Sequence, residues 1–223
     1  MIKAITLIRR KPDLTVEAFQ EYWLHRHVPV IKCLPGIRRY VQNHPLPENY
    51  DRGTVVYDGI AELWGADSQS FKSMAASDVY PLVQADEERF IDCTSLALIF
   101  TSETVLQSPA PQPGGVKFMQ LMQRRPGLSV EDFQSYWRMQ HAPLVLTLPG
   151  LAGYVQSPTR PGGYRENRQP LYDGLATLWF DSRVMLTQAM ASESYAAIMA
   201  DATNFLHPDG QTGLICTEHI IVG

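Results

Sequence analysis

The chain is written twice. FQEYWLHRHVPVIKCLPGIRRYVQ begins at Phe19 and returns at Phe133 as FQSYWRMQHAPLVLTLPGLAGYVQ. Displaced on itself by about 114 residues, the sequence matches at roughly half the positions between Lys3 and Gln42. After a one-residue slip, VYDGIAELW from Val56 meets LYDGLATLW from Leu171, and Phe90 and Glu103 meet Phe205 and Glu218. A chain of 223 residues duplicated in this way folds as two copies of one supersecondary unit, each of about 110 residues, rather than as one large domain. Hydrophobic residues make up 45% and charged residues 19%, enough apolar material for a core in each copy. The Pro- and Gly-rich stretch QSPAPQPGG supports neither helix nor ladder and divides the chain into residues 1–106, a linker at 107–115, and residues 116–223.

Both copies spell the same elements. IKAITLIRR and VKFMQLMQR are strand-like runs closed by Pro12 and Pro126. TVEAFQEYWLHRH and SVEDFQSYWRMQH predict helices with Thr15 and Ser129 as N-caps, acidic first turns and a Pro just beyond. Phe19, Trp23 and His27 form one helical stripe, repeated by Phe133, Trp137 and His141; the tryptophans are assigned to the core and Tyr22 and Tyr136 to a more exposed face. Gly36 and Gly150 suit the left-handed position that ends a helix. Two strands follow in each copy (IRRYVQ and DGIAELW; LAGYVQ and DGLATLW), then helical stretches, then a last strand. The order β-α-β-β-α-β predicts an α+β fold: two ferredoxin-like units, each an antiparallel sheet with helices on one face. On the third strand Ile60 and Trp64 share one face and Ala61 and Leu63 the other, a pattern repeated by Leu175, Trp179, Ala176 and Leu178. Apolar residues on both faces predict that the two bare sheet faces pack together as one α+β barrel.

The motif F-x-x-Y-W-x-x-x-H-x-P, followed by L-P-G and Y-V-Q, stands at Phe19 to Gln42 and again at Phe133 to Gln156, with Y-D-G supporting it later. In these residues the chain resembles tandem EthD-type domains of the dimeric α+β barrel superfamily. That resemblance implies a barrel usually built from two chains, supplied here by fusion, so that the two sites are free to diverge. Relatives of this fold include isomerases, cyclases, cofactor-free monooxygenases, haem enzymes and proteins without assigned activity, so the resemblance specifies the fold far better than the reaction.

His27 and His141 are the acid/base candidates, since each copy retains a group that titrates near neutral pH. In a second reading each ring interacts with the negative end of its helix or fixes the turn into Pro29 or Pro143. The pleat sets Tyr40 with Gln42, and Tyr154 with Gln156, as ligand hydrogen-bonding candidates. Trp64 and Trp179 offer an aromatic wall, sharing a face with Glu62 in one copy and Thr177 in the other. Glu62 would give one site an internal carboxylate, or else lies at a wet rim. Asp58-Gly59 and Asp173-Gly174 read as turn chemistry, and the acidic QADEERF as a solvated helix face.

Other chemistries are disfavoured. His25 and His27 lie about 200° apart on a helix and cannot share a metal, and no His-x-x-x-His appears. Cys33, Cys93 and Cys216 are odd in number and widely spaced, and are expected reduced and mostly buried, with neither disulfides nor zinc. There is no P-loop, dinucleotide fingerprint or nucleophile elbow, so nucleotide enzymes and standard serine hydrolases are disfavoured; the leading reading uses no organic cofactor, and a lone axial His keeps haem as an alternative. A net charge of −4 offers no basic stripe for nucleic acid, no apolar run is long enough to span a membrane, and the N-terminus does not read as a signal peptide. A cytoplasmic protein with a small hydrophobic or aromatic partner is expected, as an internal pseudo-dimer open to further self-association. The leading expectation is a cofactor-independent isomerase, cyclase, decarboxylase or monooxygenase acting on an aromatic or polyketide-like compound through His-mediated proton transfer. The competing one is a non-catalytic ligand-binding or accessory protein.

Overall fold

The computed structural model describes residues 1–51, 55–110 and 112–223; Pro111 of the expected linker lies outside the described residues. The chain forms two compact units, Met1–Thr101 with Glu218–Gly223, and Ser102–Thr217. In the first unit the strands are β1 (Ile2–Ile8), β2 (Arg39–Pro45), β3 (Gly59–Gly65) and β4 (Ala97–Thr101), paired antiparallel in the order β4-β1-β3-β2. The helices are α1 (Val16–Glu21), α2 (Val28–Ile31), α3 (Ser68–Ala75) and α4 (Tyr80–Glu87). The second unit repeats them: β5 (Thr104–Gln107), β6 (Val116–Arg124), α5 (Val130–Tyr136), α6 (Ala142–Val145), β7 (Leu151–Pro158), β8 (Gly174–Phe180), α7 (Arg183–Met190), α8 (Glu193–Ala202) and β9 (Leu206–Val222). Its sheet order is β9-β6-β8-β7-β5, so the β-α-β-β-α-β topology holds in both. By repeat β5 continues the first copy, yet it belongs to the second unit and pairs with β7; the last residues of β9 belong to the first unit.

The local signals act as expected. The Thr15 and Ser129 hydroxyls accept from the backbone of Ala18 and Asp132 at 3.2 and 3.0 Å. Gly36 and Gly150 take φ of +84° and +70°, where a Cβ would be strained. The turn after α1, Tyr22–His27, and the turn after α5, Trp137–His141, are π-helical rather than α-helical. Pro29 and Pro143 explain this: proline cannot donate to the carbonyl four residues back and its ring crowds it, and a widened turn relieves both.

The central strands of the first sheet are buried on both faces. Tyr40 and Gln42 lie opposite Leu63 and Ala61, which places all four on the helix-facing side, where Phe19, Trp23, Val83 and Phe90 complete the core. Ile5, Leu7, Val41 and Ile60 are sealed on the other side. Gly59 and Gly174 have a packing role that turn chemistry did not suggest. A Cβ there would come within 2.4 Å of the Trp23 ring and 2.7 Å of the Trp137 ring, so each tryptophan lies directly on bare backbone. The neighbouring aspartates anchor arginines: Asp58 receives Arg10 at 2.5 Å and Tyr50 at 3.2 Å, and Asp173 binds Arg124 and Tyr164. Among the described residues the cysteines form no disulfide, but Cys33 and Cys93 are exposed and Cys216 alone of the three is buried, because the first two sit in turns and not under the sheet.

Candidate functional site

The π-helical turn positions the repeated histidine. Tyr22 and His27 are five residues apart, about 140° around an ordinary helix, but the wider turn brings them to one side. Both meet the same carboxyl on α4. The Tyr22 hydroxyl donates to Asp86 Oδ1 at 2.8 Å, and His27 Nδ1 lies 2.9 Å from Asp86 Oδ2. The second unit repeats the arrangement with Tyr136 to Asp201 Oδ1 at 2.7 Å and His141 Nδ1 to Asp201 Oδ2 at 2.8 Å. Asp86 is therefore buried, and QADEERF is not a wholly solvated face. The sequence held a signal for it: the repeat preserves Asp86 as Asp201, and Phe90 as Phe205, while Glu87 and Glu88 change to Ala202 and Thr203. The two phenylalanines lie against the histidine rings at 5.2 and 4.7 Å between centroids.

Electrostatics sets the protonation of these rings. Burial pushes His27 and His141 below the ordinary histidine value, and the carboxyls of Asp86 and Asp201 only partly offset it. Burial works to raise Asp201, but hydrogen bonds from Tyr136, His141 and Asn204 outweigh it and hold its carboxyl low. An ionised carboxylate only accepts, so Nδ1 carries the ring proton and Nε2 is left with a lone pair. Among the described residues no hydrogen bond reaches Nε2 of either ring. A neutral imidazole, oriented through one nitrogen and open at the other, is the form a general base requires.

In the second unit His141 and Tyr154 line a largely apolar cavity between sheet and helices, in which the centre of a water molecule can range over about 70 Å³. Trp137, Gln120, Tyr195 and Gln211 bring the other polar atoms to its wall. Tyr154 is buried, which pushes its hydroxyl up to about 12. Tyr40 is raised in the same direction, and its oxygen accepts from Trp23 Nε1 at 3.1 Å. Gln42 and Gln156 are spent partly on structure: each donates to the carbonyl of Trp23 or Trp137 at 3.0 Å, within the π-helical turn.

The structure separates the remaining expected site residues from the histidines. Trp64 lies opposite Lys3 and Arg39, and Glu62 opposite Ile5 and Val41, all on the sheet face turned away from the helices. Trp179 likewise lies opposite Lys117, while its neighbours Leu178 and Phe180 line the cavity. Thus His141 and Tyr154 line one cavity and Gln156 donates to the Tyr154 hydroxyl at 2.8 Å, while in the first unit Tyr40 and Gln42 both bond Trp23, one turn before His27; Glu62, Trp64 and Trp179 lie on the other sheet face. Glu62 is neither at a wet rim nor a free base: it is buried, 2.7 Å from Lys3 Nζ and 3.0 Å from Asn43 Nδ2. Lys3 and Arg39 also lie over the Trp64 ring, at 5.2 and 5.0 Å from its centroid. Among the described residues no group of three or more His, Cys, Asp or Glu could hold a metal, and no helix is long and apolar enough to cross a membrane.

Solved structures share this fold at low sequence identity. An anthrone oxidase-like protein covers 100% of this chain and 94% of its own at a TM-score of 0.66 and 9% identity. A candidate monooxygenase from Fusobacterium nucleatum subsp. nucleatum ATCC 25586 covers 99% and 92% at 0.62 and 8% identity. An EthD family protein from Bacillus halodurans C-125 is 26% identical over 45% of this chain and 95% of its own, with a TM-score of 0.37. No curated protein matches the sequence. Two tandem ferredoxin-like copies fit a single-chain version of the dimeric α+β barrel. The EthD domain profile matches residues 11–94 and again 125–209, spanning both His-Asp-Tyr sites, and the chain belongs to the EthD domain family, with two copies in tandem.

Proposed function

We propose that this protein is a small-molecule enzyme that removes a proton from an aromatic or polyketide-like compound, with His27 and His141 as the bases. The observation that carries the reading is the duplicated constellation itself: a buried histidine ring bonded through Nδ1 to a carboxyl that also holds a tyrosine hydroxyl. In the second unit this ring faces a largely apolar cavity. Nε2 takes the proton, the C–H electron pair stays on the substrate as an enolate or phenolate, and the ring returns the proton to product or solvent. The names of the full-length structural neighbours, an anthrone oxidase-like protein and a candidate monooxygenase, suit a substrate of this kind.

The test follows deuterium uptake at C10 of 1,8-dihydroxyanthrone in D2O under argon by ¹H NMR, which reads proton removal whatever step comes after it. The wild-type protein should accelerate the exchange. Removing a true base should slow it by roughly 10² to 10⁴. His27→Ala and His141→Ala identify the active unit, and the double variant should return to the buffer rate. Exchange that the double variant leaves unchanged would overturn the reading.

A further inference from the structure

The two units are not chemically equivalent beside their repeated histidines. Ala202 forms part of the wall of the second unit's cavity, one turn after Ile198, which lines it too. The repeat aligns these residues with Glu87 and Val83 of the first unit. Val83 is sealed in the first unit's core, and Glu87, four residues on, falls on the same helical stripe. Glu87 also follows Asp86, which holds His27. The first unit therefore has a carboxyl where the second has a methyl group. Among the described residues that carboxyl makes no hydrogen bond or ion pair, although it is only partly exposed.

We propose that Glu87 makes the first unit selective for a ligand that donates a hydrogen bond, a phenol hydroxyl being the simplest, while the second unit, with Ala202, takes an uncharged apolar ring. A partly buried carboxyl without a protein partner costs free energy that a donor-bearing ligand recovers, and an apolar isostere leaves it unpaired. Two electrostatic effects agree with an inward-facing group. Burial and the adjacent Asp86 raise the Glu87 carboxyl to about 7, and its charge bears on the Tyr40 hydroxyl across the helix-to-sheet space. The inference rests on the reading of these spaces as the ligand sites, and does not require that a proton be transferred in them.

The experiment compares 1-naphthol with naphthalene by isothermal titration calorimetry, while the ring signals of ¹³C-labelled Tyr40 and Tyr154 report which unit is filled. Wild-type protein should prefer 1-naphthol, with Tyr40 responding first. At pH 8, above the value of about 7 to which burial raises the carboxyl, Glu87→Ala should reduce that preference roughly ten- to hundredfold, the worth of one hydrogen bond to a charged group. Glu87→Gln, close in shape and still an acceptor, should retain part of it. Ala202→Glu should confer a preference on the second unit. Equal affinities in the wild-type protein, a 1-naphthol response confined to Tyr154, or a preference unchanged in both Glu87 variants would overturn the proposal. The proton-transfer reading fails separately: 1-naphthol preference without exchange of 1,8-dihydroxyanthrone leaves the Glu87 assignment standing, and His-dependent exchange with an unaltered preference leaves only the base assignment.

Discussion

Replacing Asp86 by Ala tests the link between the fold and the site at one atom pair. Two donors, the Tyr22 hydroxyl at 2.8 Å and His27 Nδ1 at 2.9 Å, lose their acceptor together. A buried donor left unpaired costs about 1–3 kcal/mol, and His27 is buried while Tyr22 is half-buried, so the expected loss is about 2–4 kcal/mol. For a chain of this length that is a fall in melting temperature of roughly 5 to 15 °C. Asp201→Ala should cost a comparable amount: it removes the acceptor of Tyr136, His141 and Asn204 together, but the Asp201 side chain is 16% exposed against 10% for Asp86, and water can replace more of its bonding. The His27 ring should also become still harder to protonate, since Asp86 partly offsets the burial that lowers it. Urea unfolding gives the free energy and ¹⁵N-detected titration gives the ring. An Asp86→Ala protein within about 0.5 kcal/mol of wild type, with its His27 titration unmoved, would refute the claim that this carboxyl is the structural partner of the base.

Three further outcomes are expected. Gly59→Ala and Gly174→Ala should each destabilise by about 1–3 kcal/mol in thermal unfolding, because the added methyl meets a buried Trp ring that has no room to withdraw. Removing Glu62 alone, as Glu62→Leu, should cost about 3–5 kcal/mol by breaking its buried ion pair with Lys3, whereas the double replacement with Lys3→Met should recover much of it. Stability should also depend on pH in two opposed ways. Burial lowers His44 to about 3, so unfolded His44 binds a proton below about 6.5 that folded His44 refuses, and its contribution is lost as pH falls from there towards 3. Glu87, raised to about 7, acts oppositely: the folded state holds its proton through the range above 4.5, so its contribution is lost as pH rises through 7. Glu87→Gln should therefore gain on the order of 2 kcal/mol over wild type at pH 8, and no comparable amount at pH 4.

What could be seen in the sequence was what is local or repeated. Thr15, Ser129, Gly36 and Gly150 act within one turn of the chain, so their residue types declare their roles. The stripe of Phe19, Trp23 and His27 was legible because helical period governs one face, and the strand order followed from counting elements. Sheet register was less accessible. That Tyr40 faces the helices while Trp64 and Glu62 face away depends on how β2 aligns with β3, and a side chain's face is known only once a neighbouring strand is in place. The π-helical turns were hidden as well, because an ordinary helical wheel separates Tyr22 from His27 and gives no reason to look for a shared carboxyl. Asp86 was masked by composition: among Glu87, Glu88 and Arg89 it looks solvated, and only its retention as Asp201, where the surrounding charges vanish, distinguishes it. Asp-Gly misled in a subtler way, since the glycine serves the Trp ring above it rather than the turn before it.

The central claim is that each unit holds a neutral histidine with its proton on Nδ1, bonded to aspartate, and a lone pair on Nε2. The most direct test is the ¹⁵N spectrum of protein labelled at histidine, recorded at pH 7 with His27→Gln and His141→Gln used to assign the signals. Two rings in the Nδ1–H tautomer, each losing that signature when Asp86 or Asp201 becomes Ala, would bear the account out. Two imidazolium rings, or two rings protonated at Nε2 and indifferent to the aspartates, would contradict it.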